Sequence, residues 1–314
     1  MPASHVMDVE SLARELNAAI AGEVRANEPM SAHTTFGLGG PADLFVTAVS
    51  RSDLQAVLEF CRDRKVPVLP VGDGSNLLVS DTGVRGALVK LGGKFDQLSL
   101  RGEEFTAGAG AGISQAIAAA ASGGLGGLEV LYGVPGSVGG GVYMNAGTRH
   151  GWLSDILLSA EIVDQDGASR SAAPRDLEMS YRHSALQEMD PAPFVVSAVF
   201  GLRAEEGSTV RERISALARD RRGTQPLSLR SCGCMFRNPE GDSAGRLIDA
   251  AGLKGLRVGG VEVSEKHANF FVHRGDATAV DVYRLAMKVR RLVAEETGVD
   301  LKLEVRLLGD WPDE

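Results

Sequence analysis

Three glycine clusters constrain this chain more than any other feature: Gly37-Leu-Gly-Gly-Pro41, Gly72-Asp-Gly-Ser-Asn76 and Gly133-Val-Pro-Gly-Ser-Val-Gly-Gly-Gly141. Glycine supplies 39 of the 314 residues, about 12% against a usual ~7%. These glycines sit in short loops rather than in one linker, as expected where backbone must turn tightly or approach something closely. Successive backbone N–H groups in such loops form anion-binding nests, and glycine leaves no Cβ in the way. Turn formation alone accounts for any one loop. Three in one chain, the second directly after the apolar run Val66 to Val71, point to a large phosphorylated ligand.

That ligand is not held by the common nucleotide motifs. Gly72-x-Gly74 is followed by Leu77 where a G-x-G-x-x-G fingerprint needs its third glycine, and no G-x-x-x-x-G-K-[ST] run exists. Around the loops the pattern is mixed α and β. Periodicity predicts a helix near 9–20 and another opened by Ser52-x-x-Gln55 as a capping box. A strand follows at Val66–Val71, then an extended Leu77-Leu78-Val79, giving the kind of α/β unit that binds a ligand at a strand end. Strand-like segments with glycine turns fill 85–110, and an Ala-rich helix from Ser114 to Ser122 ends at Gly123-Gly124. The stretch from Gly133 to Gly141 is too rich in Gly and Pro for regular structure.

Strands are expected near 156–165 and 193–202, and a helix at 208–222 with Val210, Ile214, Leu217 and Ala218 inward. Asp242 or Ser243 can cap a helix that Gly252 ends, and Asp276 a longer one that runs to Gly298. A closing strand places Leu301, Leu303, Val305 and Leu307 on one side, with Lys302, Glu304 and Arg306 on the other.

Charge and cysteine content narrow the functional classes. A net charge of −8 gives no electrostatic footprint for nucleic acid, and the run Arg219-Asp220-Arg221-Arg222 reads as a solvated helix face. No apolar run approaches the ~18–20 residues of a membrane-spanning helix. The first thirty residues lack a basic and apolar secretory leader. Cysteines 61, 232 and 234 are odd in number, which argues against a disulfide framework, and Cys232-Gly-Cys234 lacks further zinc ligands, so no metal site is expected. A cytoplasmic protein without nucleic-acid or membrane partners is expected.

At the glycine loops the chain resembles the UDP-N-acetylenolpyruvoylglucosamine reductase family. The resemblance runs from about His33 to Gly309. It includes His33-Thr-Thr-Phe-Gly-Leu-Gly-Gly-Pro-Ala42, Leu69-Pro-Val-Gly-Asp-Gly-Ser-Asn-Leu-Leu-Val79 and Gly133 through Gly147. Tyr181-Arg-His-Ser184, Gln225-Pro226, Gly233-Cys-Met-Phe-Arg-Asn-Pro239, Ala244 through Gly255, Val263 through Val272 and Leu303-Glu-Val-Arg306 follow in family order. The segment between Arg182 and Cys234 is similar to the shorter subtype, which lacks an extra substrate-covering insertion.

The resemblance implies an α+β chain with a vanillyl-alcohol-oxidase-like (PCMH-type) FAD-binding fold of two subdomains, 1–95 and 96–207, plus a C-terminal α/β substrate-binding domain at 208–314. This division leaves open whether the last strand, carrying Glu304, stays with the C-terminal domain or returns to the FAD domain. It also implies non-covalent FAD, NADPH as co-substrate, UDP-N-acetylglucosamine enolpyruvate as substrate and a monomer. For FAD it points to Gly72, Asp73, Gly74, Ser75, Asn76, Leu77, Gly133, Pro135, Gly136, Ser137, Gly139, Gly140, Asn145 and Gly147, with backbone N–H groups rather than the Asp73 carboxylate meeting phosphate. Tyr181, Arg237, Asn238, Lys254, His267 and Asn269 are the substrate-binding candidates.

Three residues would carry the chemistry. Hydride arriving at the enolpyruvyl group pushes charge onto the neighbouring carbon and its carboxylate, and a fixed donor there is often worth ~2.7–4 kcal/mol. Arg182 stands where the family places its catalytic arginine. The new centre then needs a proton. The family has serine in Gly-Ser-x-Phe-x-Asn-Pro, and this chain has Cys234, a thiol acidic enough to donate and mostly protonated near neutral pH. Glu304 is the third, placed to orient the intermediate or relay the proton. Two rival functions are an oxidase of the same superfamily and a flavin-binding regulator. Many such oxidases tether FAD through His or Cys, and the Gly72–Leu77 loop holds neither.

Overall fold

The computed structural model describes residues 8–312. Residues 1–7, into which the leader reading and the first domain extend, and residues 313–314 at the end of the last domain lie outside the described residues.

The first sheet has the order Glu23–Pro29, Pro41–Ala48, Val84–Leu91, Val68–Val71; its first pair is antiparallel and the others parallel. Strand Pro41–Ala48 is buried on both faces, as parallel strands under helices usually are. Leu44, Val46 and Ala48 pack with Leu16, Leu54 and Val57 from helices Val9–Ala19 and Arg51–Arg64. Phe45 turns the other way, into a small cluster with Met30, Val79 and Leu88.

The second sheet is antiparallel throughout, in the order Ser169–Ala172, Leu157–Val163, Phe194–Gly201, Glu104–Gly108, Leu98–Arg101. Helix Ile113–Ser122 and helix Gly207–Thr224 pack against each other beside it. One apolar cluster runs without a break through both sheets, from Ala13 to Leu202. A second core belongs to the C-terminal region, where strands Arg257–Val258, Val261–Val263 and Phe271–His273 lie with helices Ala244–Ala250 and Ala279–Thr297. Phe36, Leu38 and Leu78 reach into this core from the N-terminal region.

The last strand returns to the second glycine cluster. Strand Arg306–Leu308 pairs in parallel with Leu77–Val79, directly after the second glycine cluster. The closing strand expected over 301–307 is therefore shorter: Leu303 makes an isolated bridge to Phe236, and the ladder proper begins at Arg306.

Three helix starts differ from expectation, each for a backbone reason. Ser50, not Ser52, caps Arg51–Arg64, because Ser50 has the extended backbone a cap requires and accepts from the Asp53 N–H. Thr278, not Asp276, caps Ala279–Thr297 in a capping box with Asp281; Asp276 is held at φ +50° in the preceding turn. The stretch from Gly133 to Gly141 is not wholly irregular. Ser137 caps a short helix, Val138–Tyr143, whose glycines let it pack closely on Ala109 and Ile113. Among the described residues no helix is long and apolar enough to cross a membrane.

Candidate active site

Where the two sheets and the C-terminal region meet, a cavity of about 860 Å³ opens, a size suited to a large ligand. Two of the glycine loops form one wall. Gly72 faces Ser137 so closely that a Cβ would stand 2.7 Å from its Oγ, and Gly136 faces the Ser75 Oγ at the same distance. The Ser75 hydroxyl donates to the Pro135 carbonyl at 3.1 Å, which locks the loops together. The amide N–H groups of Asp73, Gly74, Ser75, Asn76, Gly136 and Ser137 donate to no other group among the described residues. Backbone donors left unpaired at the rim of a cavity are what a nest for phosphate oxygens supplies. Asp73 does not disturb this arrangement, since its carboxylate pairs with Lys90 at 2.8 Å.

A second stretch of wall comes from the C-terminal region. Segment 234–237 lies between two neighbours: Met235 N–H donates to Asn269 O, and Glu304 N–H donates to Met235 O, both at 2.8 Å. The Asn76 side chain donates to Glu304 O at 3.0 Å, tying the first wall to the second. Arg182, Cys234 and Glu304 thereby line the same cavity. Arg182 Nε stands 2.7 Å from Glu304 Oε1 as an ion pair, but its N–H is not aligned on that oxygen and has no hydrogen-bond acceptor among the described residues. Arg237 Nε is likewise buried without an acceptor among the described residues.

Electrostatics follow from burial. The Glu304 carboxyl is pushed above the usual carboxylate range by burial, and the guanidinium groups of Arg182 and Arg237 oppose that rise. Burial, with the nearby Glu304 charge adding to it, raises the Cys234 thiol to about 12. A thiol so placed holds its proton firmly. His267 also lines the cavity and is held neutral by burial; its Nδ1 accepts from the Asn269 N–H at 3.3 Å, which leaves Nε2 as the donor.

The structure separates the other candidates. All of Gly72–Leu77 line the cavity, as do Pro135, Gly136, Ser137, Gly139, Gly140 and Gly147. Gly133 does not: it is the seat for Arg221, whose side chain a Cβ there would strike. Asn145 is buried, and both ends of its amide are used within the protein, Nδ2 donating to Ser180 O and Oδ1 accepting from the Ser154 N–H. Asn269 is a framework residue too, bridging the backbone N–H and C=O of Phe236 at 2.9 and 2.8 Å. Lys254 lies outside the lining and pairs with Asp249 at 2.7 Å. Tyr181, Arg237 and Asn238 flank the Arg182–Glu304 pair outside the lining, with the Tyr181 hydroxyl accepting from the Asn238 N–H at 3.1 Å.

Several residues were missed. Arg221, read as part of a solvated run, is half-buried in the cavity, and burial holds its guanidinium below the usual arginine range. Its place was available from periodicity, because 210, 214, 217 and 221 fall on one helix face. Gln225 lines the cavity with its Oε1 buried and without a partner among the described residues. Arg306 lines it with its guanidinium on the Tyr143 hydroxyl. Among the described residues no cluster of His, Cys, Asp and Glu could hold a metal ion.

Comparison with known proteins adds to this geometry. A family model described as UDP-N-acetylenolpyruvoylglucosamine reductase, C-terminal domain, matches residues 225–308, and one described as FAD binding domain matches residues 42–172. The UDP-N-acetylenolpyruvoylglucosamine reductase of Moorella thermoacetica is 45% identical over 304 residues, covering 97% of this chain and 99% of that one. The Bacillus subtilis protein of the same name is 38% identical over 301 residues, covering 96% and 99%. The crystal structure of the reductase from Thermus caldophilus matches with a TM-score of 0.79 at 39% identity, over 93% of this chain and 100% of that one.

Proposed function

The chain belongs to the UDP-N-acetylenolpyruvoylglucosamine reductase family, and we propose on that premise how its own residues carry out the reaction. The protein is an FAD-dependent, NADPH-consuming reductase with the PCMH-type FAD-binding fold. It converts UDP-N-acetylglucosamine enolpyruvate into UDP-N-acetylmuramate, a step of peptidoglycan precursor synthesis. The same premise supports a cytoplasmic monomer and the division into 1–95, 96–207 and 208–314.

The residues present fit FAD. The cavity is large enough, two glycine loops offer unpaired N–H donors, and the buried Gln225 Oε1 awaits a donor. The loops Gly72–Leu77 and Pro135–Gly140 would hold the diphosphate through backbone N–H groups. When bound, the flavin supplies the hydride carrier between NADPH and the terminal carbon of the enolpyruvyl group.

The chain's own side chains then bind, steady and protonate. Arg182 faces the substrate carboxylate and stabilises the negative charge that develops beside it, in a site where little water competes. Glu304 holds Arg182 in place by the 2.7 Å ion pair and keeps the pocket from being uniformly cationic. Cys234 donates the proton from Sγ to the carbon next to the carboxylate. Its raised pKa keeps that proton available at neutral pH, and the transfer is driven by a far more basic carbanion. Tyr181, Arg237, Asn238 and His267 are the side chains we assign to the sugar and diphosphate of the substrate.

The observation that carries this reading is the convergence of Arg182, Cys234 and Glu304, from three separate stretches of chain, on one cavity that the glycine loops also line. An anaerobic absorbance trace tests it. Bound flavin should bleach with NADPH and recover on addition of UDP-N-acetylglucosamine enolpyruvate. Recovery only when oxygen is admitted would mean an oxidase or a binding protein instead.

A further inference from the structure

Arg182 has an unusual amount of structure built around it. Its backbone is in the left-handed region at φ +54°, and its neighbours are pinned: Asn145 donates to Ser180 O at 2.8 Å, and Gln187 donates to Arg182 O at 3.2 Å. The side chain is less constrained by hydrogen bonds. Its Nε has no aligned acceptor among the described residues, and Glu304 is its ion-pair partner. Two aromatic rings supply what hydrogen bonds do not. The guanidinium carbon lies 5.4 Å from the Trp152 ring centroid and 5.9 Å from that of Tyr181, both within the ~6 Å over which a ring face attracts a cation. The two rings meet edge to face, at 5.3 Å and 85°, and so brace one another.

The indole is itself seated. Strands Gly147–Thr148 and Gly151–Trp152 form a small hairpin in which Trp152 is paired with Gly147. A Cβ on Gly147 would strike the indole ring, so the ring lies directly on that glycine. At the base of the hairpin, the Trp152 N–H donates to the Asp155 carboxylate and the Leu153 N–H to Ala146 O, each at 2.8 Å. Trp152 is not among the residues that line the cavity.

We propose that Trp152 is a positioning residue for the reaction: seated on Gly147 and braced by Tyr181, it holds the Arg182 guanidinium turned toward Glu304 and the reacting carboxylate. The proposal rests on the reading of Arg182 given above. A long arginine with one ion contact swings freely, and a shift of about 1 Å at a charge-stabilising group can cost on the order of 10²-fold in rate. The aromatic corner removes that freedom and keeps water from one face of the guanidinium. Gly147 thereby serves the arginine as well as the cavity wall.

The test uses FAD-loaded protein and follows the two half-reactions separately under anaerobic rapid mixing. In W152A, reoxidation of the flavin by the enolpyruvyl substrate should slow about tenfold, the size expected for loss of a partly desolvated cation–π contact. Flavin reduction by NADPH should stay within about twofold, which also reports that the protein is folded and loaded. W152F, which keeps an aromatic ring beside the guanidinium, should recover most of the rate. In an R182A background, W152A should add nothing further, since the two act as one unit. A normal reoxidation rate in W152A beside a slow R182A would overturn this proposal alone. So would a full tenfold effect of W152A in the R182A background, which would mark an ordinary structural role. A normal rate in R182A would overturn the reading of Arg182 and this proposal with it.

Discussion

The thiol at position 234 keeps its proton because burial raises its pKa from an ordinary 9.0 to about 12, and Cys61 and Cys232 are raised to about 11 and about 12 for the same reason. Each folded pKa lies above the unfolded value, so the stability tied to these neutral thiols is complete below pH 9.0 and drains away as pH rises toward the folded values. Denaturant unfolding should therefore show stability falling above pH 9, with thiolate absorbance of the folded protein lagging behind that of the unfolded chain; coincident titrations would contradict the burial argument. Glu304→Gln keeps the shape but removes the charge that holds Arg182. It should leave flavin reduction by NADPH intact and slow reoxidation by substrate on the order of 10²-fold; an unchanged rate would remove Glu304 from the mechanism. The resemblance implied roles for Arg182, Cys234 and Glu304, and the fold brings all three to one cavity, which is what the proposed mechanism builds on. Asn145 and Asn269 were not, since sequence does not disclose whether an amide meets a ligand or closes on nearby backbone. Here both close on backbone.

Elements with strong periodicity were readable, and their ends less so. The apolar faces of Arg51–Arg64 and Ala279–Thr297 stand in the chain itself, whereas the choice between Ser50 and Ser52, or between Asp276 and Thr278, turned on which residue has extended backbone. Helix Val138–Tyr143 was hidden for a different reason. Three consecutive glycines, each costing roughly 1 kcal/mol in helix propensity, argue against a helix, yet close packing on Ala109 and Ile113 outweighs that cost. A tertiary cap was also invisible: the Asp81 carboxylate accepts from the N–H groups of Ala279 and Val280, each at 2.9 Å, and so ties an N-terminal turn to the long C-terminal helix. Asp81 lies in the turn between Leu77–Val79 and Val84–Leu91, and an anion across two orphan N–H groups is well placed at a helix start. Asp81→Ala should lower unfolding free energy by about 1–2 kcal/mol, measured by urea titration; a change near zero would mean that Thr278 and Asp281 suffice.

At the scale of the whole molecule the cavity exists only where the pieces join. The two sheets share one continuous core, the C-terminal region has its own, and Arg306–Leu308 laces the end of the chain to Leu77–Val79 beside the glycine loop. A ligand held by loops on one side and side chains on the other should stabilise the assembled form. At free FAD one-hundredfold above its dissociation constant, unfolding should become harder by about 2.7 kcal/mol; an unfolding midpoint indifferent to FAD would contradict the placement of the site. The central claim is that this cavity completes substrate reduction with a proton from Cys234. Its most direct test is the Cys234→Ala protein, loaded with FAD, reduced anaerobically by NADPH and then mixed with UDP-N-acetylglucosamine enolpyruvate. The account predicts normal bleaching followed by recovery slowed by roughly 10²–10⁴-fold, the usual contribution of a positioned proton donor. Recovery at the rate of the unaltered protein would contradict it.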